Sequence, residues 1–265
     1  MYNSFQLAVK YLKYYLAASN GKGHGIHSPF VFNFVLDVLN NRQGYVPDTG
    51  IEALREKLLA DHSMLQVEDY GAGSRTGKMK TRTVKDIARH ALKPKKYSQL
   101  LYRLVRHYKP KTIIELGTSL GITTAYLASA NPGSKVITIE GAPAIHGMAV
   151  NHFKSLGLEN IEALQGNFDE VLPAVLNRKE PVDLVYIDGN HRKEPTLSYF
   201  NQLLPYMHND SILVFDDIHW SKEMEGAWEI IKRHEKVRCS IDIFFLGFVF
   251  FRNEFPEKQH FTIRF

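Results

Sequence analysis

Apolar positions change their rhythm close to residue 96. Before it, they recur at helical spacing. Phe5, Val9, Leu12 and Leu16 stand three or four apart with lysines between them, which predicts a helix over Ser4 to Ser19. Ser28-Pro29 then offers a capping side chain and a first helical residue. The segment behind it, FVFNFVLDVLN, is apolar nearly all round and predicts a buried helix. A third helix is expected from Ile51 to His62, a polar, glycine-rich, basic loop from Asp69 to Arg82, and a short helix from Val84 to Leu92. Lys93-Pro94-Lys95-Lys96 reads as a junction.

From Tyr97 onward, helices and strands alternate. Expected strands are Thr112 to Glu115, Lys135 to Glu140, Ile161 to Gln165, Val182 to Asp188 and Ser211 to Phe215. Helical patterns separate them, and Ser240 to Phe245 and Phe248 to Arg252 follow as two last strands. Only Leu246-Gly247 divides that final pair, which permits a hairpin. The fold class expected is therefore α/β: a Rossmann-like, doubly wound, seven-stranded sheet with an antiparallel C-terminal hairpin and an α-helical N-terminal extension. The division expected is a helical cap or lid over residues 1–95 and a βα domain over 96–265.

Composition adds little to this and removes several classes. No apolar run reaches the roughly 18–20 residues of a membrane span. The first residues lack the basic, apolar, small-residue order of a signal peptide. A single cysteine, Cys239, excludes an internal disulfide framework, fits a reducing compartment and favours a cytoplasmic location. Net charge is +5, but residues 1–95 carry 14 Lys/Arg against 8 Asp/Glu, while residues 96–265 carry 19 against 20. The basic excess of the N-terminal part suits an anionic small molecule, a nucleic acid or merely a solvated face.

The chemistry gathers at the expected strand ends. Glu115 closes the first strand, and Gly117 and Gly121 bracket the turn that follows. Their spacing misses the G-x-G-x-x-G of a dinucleotide site. Glu140 closes the second strand, well placed to take two ribose hydroxyls. The fourth ends Asp188-Gly189-Asn190-His191, and the fifth ends Asp216-Asp217-Ile218-His219-Trp220. Neighbouring strand ends bring Asp188, Asp216 and Asp217 together, and three close carboxylates repel unless they are paired or hold a cation such as Mg²⁺ or Mn²⁺.

The ordered set, an acid-x-Gly turn, an acid after strand 2 and a terminal hairpin, resembles the class I S-adenosylmethionine-dependent methyltransferases over about residues 97–252. The resemblance implies that Glu115, Gly117, Thr118, Ser119 and Gly121 serve the amino-acid part of S-adenosylmethionine. It gives Glu140 and Gly141 to the ribose, and Gly166, Asn167 and Phe168 to the adenine, with Asp188 completing the cofactor set. Ser119 stands where this family usually has a glycine, and Asn167 where it often has an aspartate. The acids after strands 4 and 5 resemble those of the metal-dependent O-methyltransferases, both the catechol type and the sugar- and antibiotic-modifying type. That likeness implies a divalent ion on Asp188, Asp216 and Asp217, His191 as general base, and O-methylation of a small-molecule acceptor. His24, His27, Tyr70, Arg75, His219 and Trp220 are the expected acceptor contacts, and a homodimer follows by analogy. The runner-up is a nucleic-acid-directed methyltransferase or binding protein; against it, Asp188-Gly-Asn-His stands where amino-methylating enzymes carry Asn/Asp-Pro-Pro-aromatic.

Overall fold

The computed structural model describes residues 1–41, 49–69 and 78–265. In chain order the elements are α1 (Ser4–Ala17), α2 (Pro29–Phe34) running into a π-helical turn (Val35–Leu39), α3 (Thr49–Ala60), β1 (Met64–Asp69), β2 (Lys78–Thr83), α4 (Val84–Ala91) and α5 (Lys95–Tyr108). Then follow β3 (Thr112–Leu116), α6 (Ile122–Ala130), β4 (Lys135–Glu140), α7 (Pro143–Ser155), β5 (Ile161–Gln165), α8 (Phe168–Leu176), β6 (Leu184–Ile187) and α9 (Lys193–Leu203). The chain ends with β7 (Ile212–Asp216), α10 (Lys222–Arg233), β8 (Cys239–Asp242), β9 (Leu246–Phe250) and β10 (Gln259–Thr262). The larger sheet has eight strands in the order β10-β8-β9-β7-β6-β3-β4-β5. Among the described residues, no helix is long and apolar enough to cross a membrane.

Two compact units divide the chain. One is Asn41–Arg178; the other joins Met1–Asn40 to Lys179–Phe265. The expected 1–95 extension is thus shared between them, its first forty residues belonging with the C-terminal part.

In Asn41–Arg178, β3, β4 and β5 pair in parallel, with Ile114 opposite Ile137 and Ile137 opposite Glu162. Ile113, Ile114, Leu116, Val136, Ile137 and Ile139 are all buried, as a parallel strand covered on both faces requires. Buried Arg55 fastens α3 here: it donates to the Lys93 carbonyl at 2.7 Å, to Ser98 Oγ at 3.1 Å and to Glu52 at 3.2 Å. Glu52 also accepts the Tyr126 hydroxyl and pairs with Lys95 at 3.1 Å. Burial pushes the Glu52 carboxyl up, but these donors outweigh it and hold the group below its ordinary value.

In the other unit, β6 and β7 are parallel, β9 runs antiparallel to both β7 and β8, and β10 lies parallel to β8. Tyr14, Ala18 and Phe244 form a small core with Leu7, Tyr11 and Phe245 around it, which seats α1 on the turn before β9.

Three features differ from the pattern-based reading. The expected loop over Asp69 to Arg82 contains β2 and the end of β1, an antiparallel pair with Val67 opposite Lys80; its high charge masked an alternation that only β-branched Val67, Thr81 and Thr83 betray. An eighth strand, β10, extends the seven expected; Gln-His-Phe-Thr is too short and polar to register as a strand. The hairpin turn is Ile243–Phe245, where Phe244 adopts φ 73° and its N–H donates to Asp242 Oδ1 at 2.8 Å. Leu246 and Gly247 belong to β9. Gly247 is small because a Cβ there would lie 2.7 Å from the buried Trp228 ring.

Candidate functional site

In Asn41–Arg178 the turn after β3 is clamped onto the end of β4. The N–H groups of Gly117 and Thr118 both donate to the Ile139 carbonyl, at 3.0 and 3.2 Å. The Ser119 N–H donates to Glu140 Oε2 at 2.8 Å, and the Ala142 N–H to Oε1 at 2.9 Å. Both Glu140 oxygens are therefore oriented by backbone, with lone pairs left for further donors. Burial pushes the Glu140 carboxyl up, while these two N–H groups and that of Gly141 pull it down.

The turn's backbone explains its composition. Gly117 has φ 108°, Ser119 φ 47° and Gly121 φ 82°, all in the left-handed region. Ser119 thus occupies a position that favours glycine, which accounts for the family's usual residue there. At Gly121 a Cβ would also lie 2.6 Å from Phe153.

Glu115 is fully buried beneath this turn. Its Oε2 accepts the Thr124 hydroxyl and, at 2.7 Å, the Thr138 hydroxyl, and Thr118 joins Thr138 at 2.6 Å. Because Thr138 donates to Glu115, Thr118 is the donor in the last bond. Thr124 and Thr138 were not singled out from the sequence. Thr138 could have been, as the one polar residue inside the apolar run of β4. His146, on α7, contributes favourably to the charge of Glu140 and was also missed.

After β5, Gly166 has φ 148° and donates to the Glu140 carbonyl at 2.9 Å. Asn167 caps α8, its Oδ1 accepting the Asp169 N–H at 3.1 Å, and Phe168 opens that helix half-buried. Gly141 lies half-buried between Glu140 and Ala142.

In the other unit, the ends of β6 and β7 bring Asp188, His191 and Asp216 together, with one donor atom of each within 4.8 Å of the other two. Asp216 is 1% exposed. His191 Nε2 lies 3.6 Å from Asp188 Oδ1, and the Tyr186 hydroxyl donates to Asp188 Oδ2 at 2.9 Å. Two carboxylates around one point suit a divalent cation, whose ligand bonds run about 2.0–2.2 Å, and the imidazole beside them can either join them or accept a proton. Asp217 stands outside this group. Asp217, one residue past the end of β7, has φ 53°, and its N–H donates to the Phe245 carbonyl at 2.7 Å.

His219 has both ring nitrogens engaged, Nδ1 with Glu225 at 3.1 Å and Nε2 with Asp242 at 2.8 Å, and its ring stacks on Phe244. Burial opposes its charge, but the two carboxylates outweigh it and raise its pKa. Glu225 also takes Lys10 Nζ at 2.9 Å and the Tyr2 hydroxyl at 2.7 Å, so this node ties α1 to α10. Trp220 is half-buried, with its carbonyl accepting the Tyr2 N–H at 3.1 Å. His24 and His27 are exposed. Tyr70 and Arg75 lie outside the described residues. Cys239 is buried, its thiol pushed up to about 12 by desolvation, and is chemically inert.

Residues 114–218 match the family profile described as a methyltransferase domain. The chain is similar to a transmembrane O-methyltransferase homolog of Rattus norvegicus, 30% identical over 116 residues, which are 41% of this chain and 45% of that protein. It is also similar to a catechol O-methyltransferase of Niastella koreensis, 29% identical over 126 residues, 46% and 55% of the two chains. The match therefore spans about half the length of these curated relatives. Likeness of fold extends further: an O-methyltransferase from Bacillus cereus, solved in complex with SAH, superposes with a TM-score of 0.58 over 83% of this chain and 97% of its own, at 20% identity.

Proposed function

We propose that this protein is a cytosolic S-adenosylmethionine-dependent O-methyltransferase acting on a hydroxylated small molecule, assisted by Mg²⁺ or Mn²⁺. The observation that carries the oxygen-directed, metal-assisted reading is the convergence of Asp188, His191 and Asp216 at the ends of β6 and β7. The likeness to a catechol O-methyltransferase supports it.

Residues of Asn41–Arg178 serve the methyl donor in this reading. Glu140, with both oxygens preset by backbone N–H groups, accepts the ribose hydroxyls. The Gly117–Gly121 turn gives close backbone approach to the amino-acid end. Residues of the other unit serve the acceptor. Asp188 and Asp216 would hold the divalent ion, which would supply Lewis-acid polarisation of an acceptor hydroxyl. His191 takes the hydroxyl proton on a ring nitrogen as the oxygen attacks the sulfonium methyl carbon. The carbon–sulfur bond breaks, a carbon–oxygen bond forms, and S-adenosylhomocysteine and a methyl ether leave.

Titration calorimetry separates the two halves. Glu140→Ala should abolish S-adenosylmethionine binding while leaving Mn²⁺ binding intact. Asp216→Asn should do the reverse. Loss of both ligands in both variants, with the fold retained, would defeat this division of labour.

A further inference from the structure

We propose that helix α1 docks this protein on an anionic lipid surface. The helix has two apolar stripes. Leu7, Tyr11 and Tyr14 face inward and pack against Phe244 and Phe245. Phe5, Val9, Leu12 and Leu16, spaced 4-3-4, form a second stripe that is exposed among the described residues. Phe5 is 77% exposed, Leu12 58% and Leu16 70%, and Met1 and Tyr15 beside them are exposed too. Single exposed apolar residues are ordinary; a contiguous stripe on one helix marks an interaction surface.

Charge selects the occupant. The first acidic residue of the chain is Asp37, so residues 1–36, which include the whole stripe, contain no side-chain carboxylate. Lys10 is answered by Glu225 on the inward side. Lys13 and Lys22 are exposed, and the Arg264 guanidinium lies 4.7 Å over the Tyr15 ring. A cationic and tyrosine-bearing rim around an apolar stripe matches the interface of an anionic bilayer, where acyl chains receive Phe and Leu and headgroups receive Lys and Arg. A second copy of the chain would instead oppose Lys13, Lys22 and Arg264 to the same cations, with no acid among residues 1–36 to answer them.

The test is co-sedimentation of the full chain with vesicles of roughly 3:1 phosphatidylcholine to phosphatidylserine, and with phosphatidylcholine alone. The wild-type protein should pellet with the anionic vesicles about tenfold more than with the neutral ones, and high salt should remove the difference. Leu12→Glu/Leu16→Glu should lose anionic-vesicle binding about tenfold, as should Lys13→Gln/Lys22→Gln. Because all four side chains are exposed, urea midpoints should match wild type. Failure to pellet with either vesicle overturns the proposal. So does a concentration-dependent dimer in sedimentation velocity that Leu12→Glu/Leu16→Glu dissolves, since the stripe would then belong to a second copy.

Discussion

Replacing Glu140 by Gln tests whether one carboxylate serves both the fold and the methyl donor. The carboxylate accepts the Ser119 N–H on one oxygen and the Ala142 N–H on the other, at 2.8 and 2.9 Å. Glutamine has one oxygen and one NH₂ group, so in either amide orientation one backbone N–H faces a donor. A buried donor left unsatisfied costs about 1–3 kcal/mol. Relief of the buried charge, which raises the Glu140 pKa, offsets part of this. The net loss in stability should be about 1 kcal/mol, visible as a lower urea midpoint with unchanged slope. The effect on ligand should be larger. Two charge-assisted bonds to ribose hydroxyls, about 1.5–3 kcal/mol each, become at best one neutral bond. A net loss of about 2.8 kcal/mol raises the Kd for S-adenosylmethionine ~100-fold. Calorimetry on the folded variant reads this directly. A Kd within about threefold of wild type would refute the ribose role and leave Glu140 as a buttress of the turn.

Gly121→Ala places a Cβ 2.6 Å from Phe153 at φ 82°, and should lower unfolding free energy by about 2–4 kcal/mol in urea titration. Ser119→Gly, at φ 47°, relieves a left-handed serine and should raise stability by about 1 kcal/mol in the same assay. His219 has a raised pKa between Asp242 and Glu225, so its contribution is full below the unfolded imidazole value of about 6.5 and is lost as pH rises through the higher folded value. The wild-type urea midpoint should therefore fall between about pH 6 and pH 9, and His219→Gln should flatten that fall; parallel profiles would refute it.

What the sequence revealed follows from which signals are local. Apolar strands such as Thr112–Leu116 and Lys135–Glu140 announce themselves because both faces are buried, so their ends, and hence Glu115, Glu140, Asp188 and Asp216, could be placed. Edge elements were less legible. β10 and β2 bury little and keep polar residues, so their pattern resembles loop. Gly247 read as a turn residue because a glycine's reason is tertiary here, the Trp228 ring above it. The same holds for His219, whose two carboxylate partners come from positions 225 and 242. Thr138 stands out in the sequence as a polar residue in an apolar strand, whereas Thr124 takes its meaning only from its bond to buried Glu115.

The central claim, methyl transfer to oxygen, is tested most directly by incubating the protein with methyl-labelled S-adenosylmethionine and a panel of vicinal diols and phenols, with and without Mg²⁺. The account predicts label in methyl ethers, dependence on added Mg²⁺ or Mn²⁺, and loss of at least ~100-fold in rate for Asp216→Asn. Label transferred at full rate in excess chelator, or transferred to nitrogen instead of oxygen, would contradict it.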